Sequence, residues 1–267
     1  MNLNIHHMHS TETTPAIPGS QDSAILRASA ILPTQHSVIT DILSQAITGE
    51  LIGMSNFASL TEAIDDVHEK MEAVEHANCE RGHAEGFIRI AQQFGITPRI
   101  NTDGYYWKAV RDCFLSYCRR KDFIGCLVIQ EVMLECFAVS MYNDVGHALP
   151  GEIGRLFLAI SEEEREHIEH SIDLLRSEMD KDPQAFIEKI KSIHFDCMTI
   201  LAEWTAATDV RGHCGVCKGK CMKESLHEVL LDVATLRGNA MNLYMRTLDR
   251  IGLPAQKTLQ WVVSLPV

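Results

Sequence analysis

The sequence predicts an all-α protein, most simply a helical bundle with additional helices. Apolar residues recur at three- and four-residue spacing through most of the chain, as in SVITDILSQAITGELIGMSNF (37–57). We find no long stretch in which apolar and polar residues alternate, which is the pattern of a half-buried strand. The 267 residues are 46% hydrophobic, enough for a sizeable core. We therefore expect a globular protein built from helices.

Capping and terminating residues set the limits of the individual helices. Ser37 is a candidate N-cap of the first helix, Gly95 ends the second, and Asp103 can cap the third. The segment 123–143 is apolar with few charges, which predicts a central, buried helix. The predicted helices cover 37–57, 60–95, a segment after Asp103, 123–143, 151 to about 180, 183 to about 208, 222–252 and a short segment after Pro254.

The domain organisation follows from where this pattern begins. Residues 1–22 are polar and predict a flexible N-terminal tail, whose His6, His7 and His9 we expect to bind metal only adventitiously. Residues 23–267 predict a single domain, with a cysteine-containing loop at about 209–221.

Composition excludes several classes of partner and location. The formal net charge of −12 removes the phosphate attraction that drives nucleic-acid binding, so we expect no nucleic-acid partner. No uninterrupted apolar run reaches the roughly 18 residues of a membrane span. The N-terminus also lacks the basic start and apolar core of a signal peptide. Nine cysteines, an odd number, make a poor disulfide framework. These features predict a cytoplasmic protein.

Two carboxylates stand inside otherwise apolar helical segments. Glu50 lies in AITGELIGM and Glu135 in VMLECFAVS. A buried carboxylate is costly unless it is paired or binds metal. For Glu135, pairing with a single Arg or Lys is the alternative to metal binding.

Two other helices each carry a Glu-x-x-His motif, Glu80 with His83 and Glu164 with His167. At three-residue spacing both side chains project from the same helix face. The second motif lies in EEEREHIEH (162–170), where we expect Glu164 and His167 to point inward. The other charges of this stretch should be solvated, and His170 should lie beside the site or on the surface.

The arrangement occurs twice at matched spacing. Glu50 precedes Glu80 by 30 residues, and Glu135 precedes Glu164 by 29. Two helix pairs therefore offer four carboxylates and two imidazoles, the ligand set of the ferritin-like di-iron and di-manganese proteins. The sequence thus predicts a ferritin-like bundle with a dimetal centre, for which two iron ions are the expected cofactor.

The same segments resemble a known family, the cyanobacterial aldehyde-deformylating oxygenases, also called long-chain fatty aldehyde decarbonylases. TGELIGMSNF resembles the family's first-Glu helix, and ERGHAEGF resembles its E-x-x-H-x-x-G-F segment. LECFAVSMYN is similar to its E-A-F-A-I-S-A-Y-N helix, and EEREHIEHSIDLL to its D-E-x-x-H helix. With the C-terminal YMRTLDRIGLPAQKTLQWV, the resemblance runs from about residue 37 to 267.

The resemblance implies a ligand set and an activity. Six residues would hold two irons: Glu80 and Glu164 as bridges, Glu50 and Glu135 as terminal carboxylates, and His83 and His167 as one cap each. The family reduces its di-iron centre, activates O2 there and converts a fatty aldehyde into a hydrocarbon and formate. A ferredoxin-type partner supplies the electrons. An apolar bundle core would protect the reactive centre from water.

The sequence departs from the family's pattern at HCGVCKGKC (213–221). Cys214, Cys217 and Cys221 form C-x2-C-x3-C next to His213, and close cysteines of this kind suggest a metal or Fe–S site. We expect an additional metal or Fe–S centre here, structural or relaying electrons, with incidental thiols as the alternative. His227 could complete the site, but for Glu224 and His227 a solvent-exposed helix face is the simpler interpretation.

Several functions remain open on the sequence. An O2-activating di-iron oxygenase fits best, acting on a fatty aldehyde or on another small or apolar substrate in a tailoring reaction. An N-oxygenase that oxidises an amine, hydroxylamine or hydrazine in natural-product biosynthesis would use the same six ligands. Iron storage on a ferritin-like bundle is a third candidate. A helical interaction module without metal would require all six ligand positions to be coincidental.

Overall fold

The structure is a computed structural model that describes residues 31–206 and 222–265. Within these ranges it contains helices and no strand. The helices are α1 His36–Leu60, α2 Val67–Gln93, α3 Tyr105–Arg119, α4 Phe123–Ala148, α5 Gly151–Lys181, α6 Pro183–Ala206, α7 Met222–Ser225, α8 Val233–Ile251 and α9 Ala255–Val263. The all-α prediction is confirmed.

Four long helices form the bundle and the others pack around it. Helix α1 packs mainly along α2, and α4 packs mainly along α5. Helix α3 lies against α1 and α6, and α8 packs on α4 and α5. This is the paired arrangement that the repeated Glu and Glu-x-x-His pattern predicts.

The boundaries differ most from the sequence prediction at two places. Helix α2 begins at Val67 and not at residue 60, because Asp66 caps it by accepting hydrogen bonds from the backbone N–H groups of His68 and Glu69. The predicted helix 222–252 is interrupted: α7 continues as the 3₁₀ turn Leu226–Val229, and Leu230 then adopts a left-handed conformation with φ of 61°. Neither break is visible in the hydrophobic periodicity.

Helix α4 is, within the described residues, the one long and apolar enough to cross a bilayer by length and composition. Most of it is buried in the bundle, however, including the side chains of Gln130, Glu131 and Glu135. A core helix of a bundle passes the same test, so α4 is weak evidence for a membrane span.

Two hydrophobic clusters divide the core along the bundle axis. One contains Phe57, Phe114 and Ile172, and the other contains Leu43 and Phe157. On α1, α2 and α5 the polar ligand candidates lie between the segments that supply these clusters, whereas on α4 Glu135 lies within the segment that supplies the first cluster. The polar site is therefore enclosed at both ends by apolar packing.

Candidate metal centre

The six residues singled out in the sequence converge in the middle of the bundle. All six side chains are buried. They form two overlapping groups in which potential ligand atoms lie within 4.8 Å of one another: Glu50, Glu80, His83 and Glu164 in the first, and Glu80, Glu135, Glu164 and His167 in the second. Because Glu80 and Glu164 belong to both groups, the six residues could hold two adjacent metal ions with two shared carboxylates.

The atomic contacts fit a metal pair better than a hydrogen-bonded cluster. Nδ1 of His83 lies 2.9 Å from Glu164 Oε1 and 3.2 Å from Glu50 Oε2. Nδ1 of His167 lies 2.9 Å from Glu164 Oε2. These last two atoms are buried, and neither has a hydrogen-bond partner among the described residues. Buried polar atoms that converge without hydrogen bonding are the arrangement expected where a metal ion would be held.

The carboxylates repel one another in the absence of metal. Burial, followed by the charge of Glu164, raises the pKa of both Glu80 and Glu135 well above the usual range. Burial alone would lower the pKa of His83, but its hydrogen bonds to Glu164 and Glu50 raise it to about 11. Cations would relieve this repulsion, so the electrostatics favour occupation by metal.

Gly53 makes room for one of the shared carboxylates. A Cβ at this position on α1 would lie 2.7 Å from Cδ and Oε1 of Glu80 and 2.8 Å from its Oε2. Contacts that close do not occur, so only glycine allows Glu80 its position against α1. Sequence reasoning missed Gly53, because a glycine inside a helical pattern shows no sign of what it faces.

A π-helical segment within α4, Val128–Leu134, orients Glu135. The backbone N–H of Glu135 donates to the carbonyl of Gln130, five residues earlier. Residues five apart lie side by side in this geometry, and Gln130 Nε2 donates to Glu135 Oε1 at 2.8 Å. Asn56 Nδ2 from α1 donates in turn to Gln130 Oε1, also at 2.8 Å. The amide chain fixes which oxygen of Glu135 faces the site.

Two further side chains contact the ligand candidates on the side away from the centre. The hydroxyl of Tyr142 donates to Glu50 Oε1. Glu163 Oε2 lies 3.0 Å from His83 Nε2, the nitrogen that faces away from the other ligands. A carboxylate behind a ligating histidine commonly fixes the orientation of the imidazole.

The contact of Glu163 adds to one sequence expectation. The side chain of Glu163 is 64% exposed, as the sequence predicts, but its carboxylate also contacts His83 on α2, which the sequence does not predict. Glu162, Glu166 and Glu169 are exposed as expected, and Arg165 is half-buried beside Glu162. His170 lies beside the site, with Nδ1 3.0 Å from Glu131 Oε2.

A mostly apolar cavity of about 250 Å³ opens onto the carboxylate side of the centre. Glu50, Glu80, Glu135 and Glu164 form part of its wall. Its apolar walls come from α1, α3, α4, α6 and α8 and include Ile42, Trp107, Phe137, Met141, Leu201, Trp204 and Leu236. An apolar molecule in this cavity would place one end directly against the proposed metal ligands.

The cysteine cluster lies outside the described residues. Cys214, Cys217, Cys221 and His213 fall in the range 207–221, so the proposed second metal or Fe–S site stays a prediction. Glu224 and His227 are described and exposed, which agrees with a solvent-facing surface for both.

Comparison with known proteins places the chain among enzymes. The family model for long-chain fatty aldehyde decarbonylases matches residues 34–191, a range that contains all six ligand candidates. Among solved structures, a Synechococcus protein described as having aldehyde deformylating oxidase activity superposes with a TM-score of 0.74 at 16% sequence identity. The match covers 88% of this chain and 99% of the Synechococcus chain. At this identity the structural match shows a shared ferritin-like bundle fold.

Proposed function

Because the chain belongs to the long-chain fatty aldehyde decarbonylase family, we propose that it is a non-heme di-iron oxygenase. The observation that carries this proposal is the pair of overlapping ligand groups that share Glu80 and Glu164. Mixed carboxylate and imidazole ligation suits iron, and the four carboxylates and two imidazoles match the donor set of ferritin-like di-iron proteins. When bound, the irons would supply the O2 activation that the side chains alone cannot.

The residues around the site would prepare it for this chemistry. Glu50 and Glu135 would serve as terminal ligands, and His83 and His167 would each cap one iron. The hydroxyl of Tyr142 would hold Glu50 in place through its hydrogen bond. The apolar ends of the bundle would keep bulk water out, and the cavity would align the substrate against Glu50, Glu80, Glu135 and Glu164.

The cavity favours an apolar substrate. Its wall accommodates an alkyl chain, so we propose that a fatty aldehyde binds with its carbonyl group next to the metal ligands and is converted to a hydrocarbon and formate. The reaction would consume O2 and electrons from a ferredoxin-type donor. We also propose that the protein acts in the cytosol.

One residue favours a second candidate reaction. Arg237, half-buried on α8, lines the same cavity and forms no ion pair with a described residue. A fatty aldehyde offers a guanidinium no negatively charged partner, whereas an amine or hydrazine that carries a carboxylate does. Such a substrate would be oxidised at nitrogen by the same centre, as in natural-product tailoring.

The test is anaerobic reconstitution with Fe(II), followed by chemical reduction and exposure to O2 with aldehydes or carboxylated amines. Deformylation predicts formate and a hydrocarbon one carbon shorter than the aldehyde. N-oxygenation predicts an oxidised amine, and Arg237→Gln should then raise KM for the amine while kcat changes little. If iron-loaded protein forms neither of these products, the oxygenase proposal is contradicted. Binding of many irons per chain would favour storage.

The ligand assignment is tested separately with Glu135→Ala. Removal of this carboxylate should lower the iron content while helicity by circular dichroism stays near that of the parent protein. A variant that binds two irons as tightly as the parent would refute the six-residue ligand set.

A further inference from the structure

A second cluster of potential metal ligands lies beside the proposed di-iron centre. His76 on α2, Glu131 on α4 and His170 on α5 each place a ligand atom within 4.8 Å of the others. Nδ1 of His76 is 3.4 Å from Glu131 Oε1, and Nδ1 of His170 is 3.0 Å from Glu131 Oε2. One carboxylate therefore lies between two imidazole nitrogens.

The cluster is one helical turn away from the dimetal ligands. His76 precedes Glu80 by four residues, Glu131 precedes Glu135 by four, and His170 follows His167 by three. Side chains at these spacings share a helix face but lie one turn apart along the axis. The ring centroids of His76 and His167 are 4.1 Å apart, so the two sites are neighbours. None of the three residues belongs to the six-residue set.

One buried atom of this cluster lacks the hydrogen-bond partner that a purely structural triad would supply. The side chain of His76 is 10% exposed, and its Nδ1 has no hydrogen-bond partner among the described residues. Glu131 is 1% exposed, and no described Lys or Arg forms an ion pair with it. A metal ion between these groups would satisfy the unpartnered imidazole nitrogen and the buried carboxylate together.

We propose that His76, Glu131 and His170 bind a third metal ion, a divalent transition metal distinct from the proposed di-iron pair. Two imidazoles and one carboxylate suit Fe(II), Mn(II) or Zn(II), and three protein ligands leave coordination positions open. Glu69 Oε2 lies 3.2 Å from Nε2 of His170, the nitrogen opposite the one that faces Glu131. This carboxylate would orient His170 as a metal ligand.

Anomalous diffraction from crystals of the full chain soaked in Mn(II) locates the ion directly. We expect a peak between Glu131 and the Nδ1 atoms of His76 and His170, in addition to peaks at the di-iron positions. A peak at this place with empty di-iron positions would support the third site and contradict the proposed function. Occupied di-iron positions without a third peak would overturn the third site alone.

Metal counting provides an independent measurement in solution. The protein is reconstituted anaerobically with Fe(II) in a Cys214→Ser, Cys217→Ser, Cys221→Ser background, which removes binding by these thiols. Glu131→Gln and His170→Asn should each bind one iron fewer per chain than this background. Glu166→Gln, which removes an exposed carboxylate from the same helix as His170, is the matched control and should lose none.

Testing both Glu131→Gln and His170→Asn distinguishes a loss of metal binding from a folding defect. Glu131 is fully buried, so its replacement could unfold α4, whereas His170 is half-buried and its replacement should leave helicity unchanged. If His170→Asn is folded and binds as much iron as the background, the cluster is a hydrogen-bonded triad and not a metal site.

Discussion

The absence of a Cβ at Gly53 leaves the space that the Glu80 carboxylate occupies. Gly53→Ala should displace Glu80, because the new Cβ would lie within 2.8 Å of the carboxylate. We expect iron binding to weaken at least tenfold while the helical content is retained. Iron titration followed by absorbance measures the change.

Gly82→Ala is the matched control for that substitution. Gly82 also lies in a long helix, α2, but a Cβ there meets no atom within 4 Å. Its replacement should leave iron binding unchanged and stabilise the protein by roughly 0.5–1 kcal/mol, since alanine loses less backbone entropy on folding. Equal loss of iron binding in both variants would contradict the role assigned to Gly53.

Glu163 is the surface residue whose contact reaches the centre. Glu163→Gln should weaken iron binding by roughly tenfold, because an amide supports the imidazole of His83 less strongly than a carboxylate does. Glu166 lies three residues further along the same helix and is exposed, so Glu166→Gln should have no effect. Competition with a chelator measures the iron affinity of the parent protein and of both variants. Equal iron affinities would show that the contact between Glu163 and His83 is dispensable.

At the scale of elements, the π-helical segment of α4 decides which side chains face the site. Deletion of Ile129 should convert Val128–Leu134 to regular α-helix, which separates Gln130 from Glu135 around the axis. We expect a helical protein that has lost most of its iron binding. Gln130→Leu is the milder comparison, since it removes only the hydrogen bond to Glu135. Full iron loading in the deletion variant would mean that the π segment plays no part in positioning Glu135.

At the scale of the whole molecule, a buried histidine makes folding depend on pH. His194 on α6 is fully buried with Nδ1 3.0 Å from the hydroxyl of Tyr244, and burial lowers its pKa from 6.5 to about 4. The unfolded chain therefore takes up a proton at higher pH than the folded chain does. The stability contribution is complete above pH 6.5 and is lost progressively as the pH falls towards 4.

His194→Asn isolates this effect. Across this pH window the free energy of unfolding of the parent protein should fall by up to about 3 kcal/mol because of His194. The variant should not show this decrease. Urea denaturation of metal-free protein between pH 7.5 and 4.5 measures both proteins. Parallel curves for the two would show that His194 is not kept neutral by the fold.

The cysteine cluster is a second question at the scale of the molecule. Joint replacement of Cys214, Cys217 and Cys221 by Ser should remove an additional metal and leave the carboxylate centre able to load, because hydroxyls bind thiophilic metals poorly. If that metal is structural, Tm should fall; if it relays electrons, turnover with an external reductase should fall while a single turnover of chemically reduced enzyme persists. Unchanged metal content in anaerobically prepared protein would leave these cysteines as ordinary loop residues.

Local signals in the sequence were sufficient to predict the helices and the six convergent residues. Helical periodicity and the spacing of Glu80 from His83 are properties of neighbouring residues, and Glu50 and Glu135 stood out against apolar surroundings. The family resemblance rested on the same segments, and the match of the family model confirms it. The breaks at Val67 and Leu230 escaped prediction because capping and a left-handed residue do not alter the hydrophobic pattern.

Only the tertiary structure decided what surrounds those six residues. Three features depend on contacts between different helices. They are the space that Gly53 leaves for Glu80, the contact of Glu163 with His83, and the contacts of Glu131. Glu131 lies in the same apolar context as Glu135, so the sequence could have marked it as a buried carboxylate. Its two histidine partners could not be identified in advance, because pairing across a bundle depends on how the helices are rotated against one another, and no local spacing encodes that rotation.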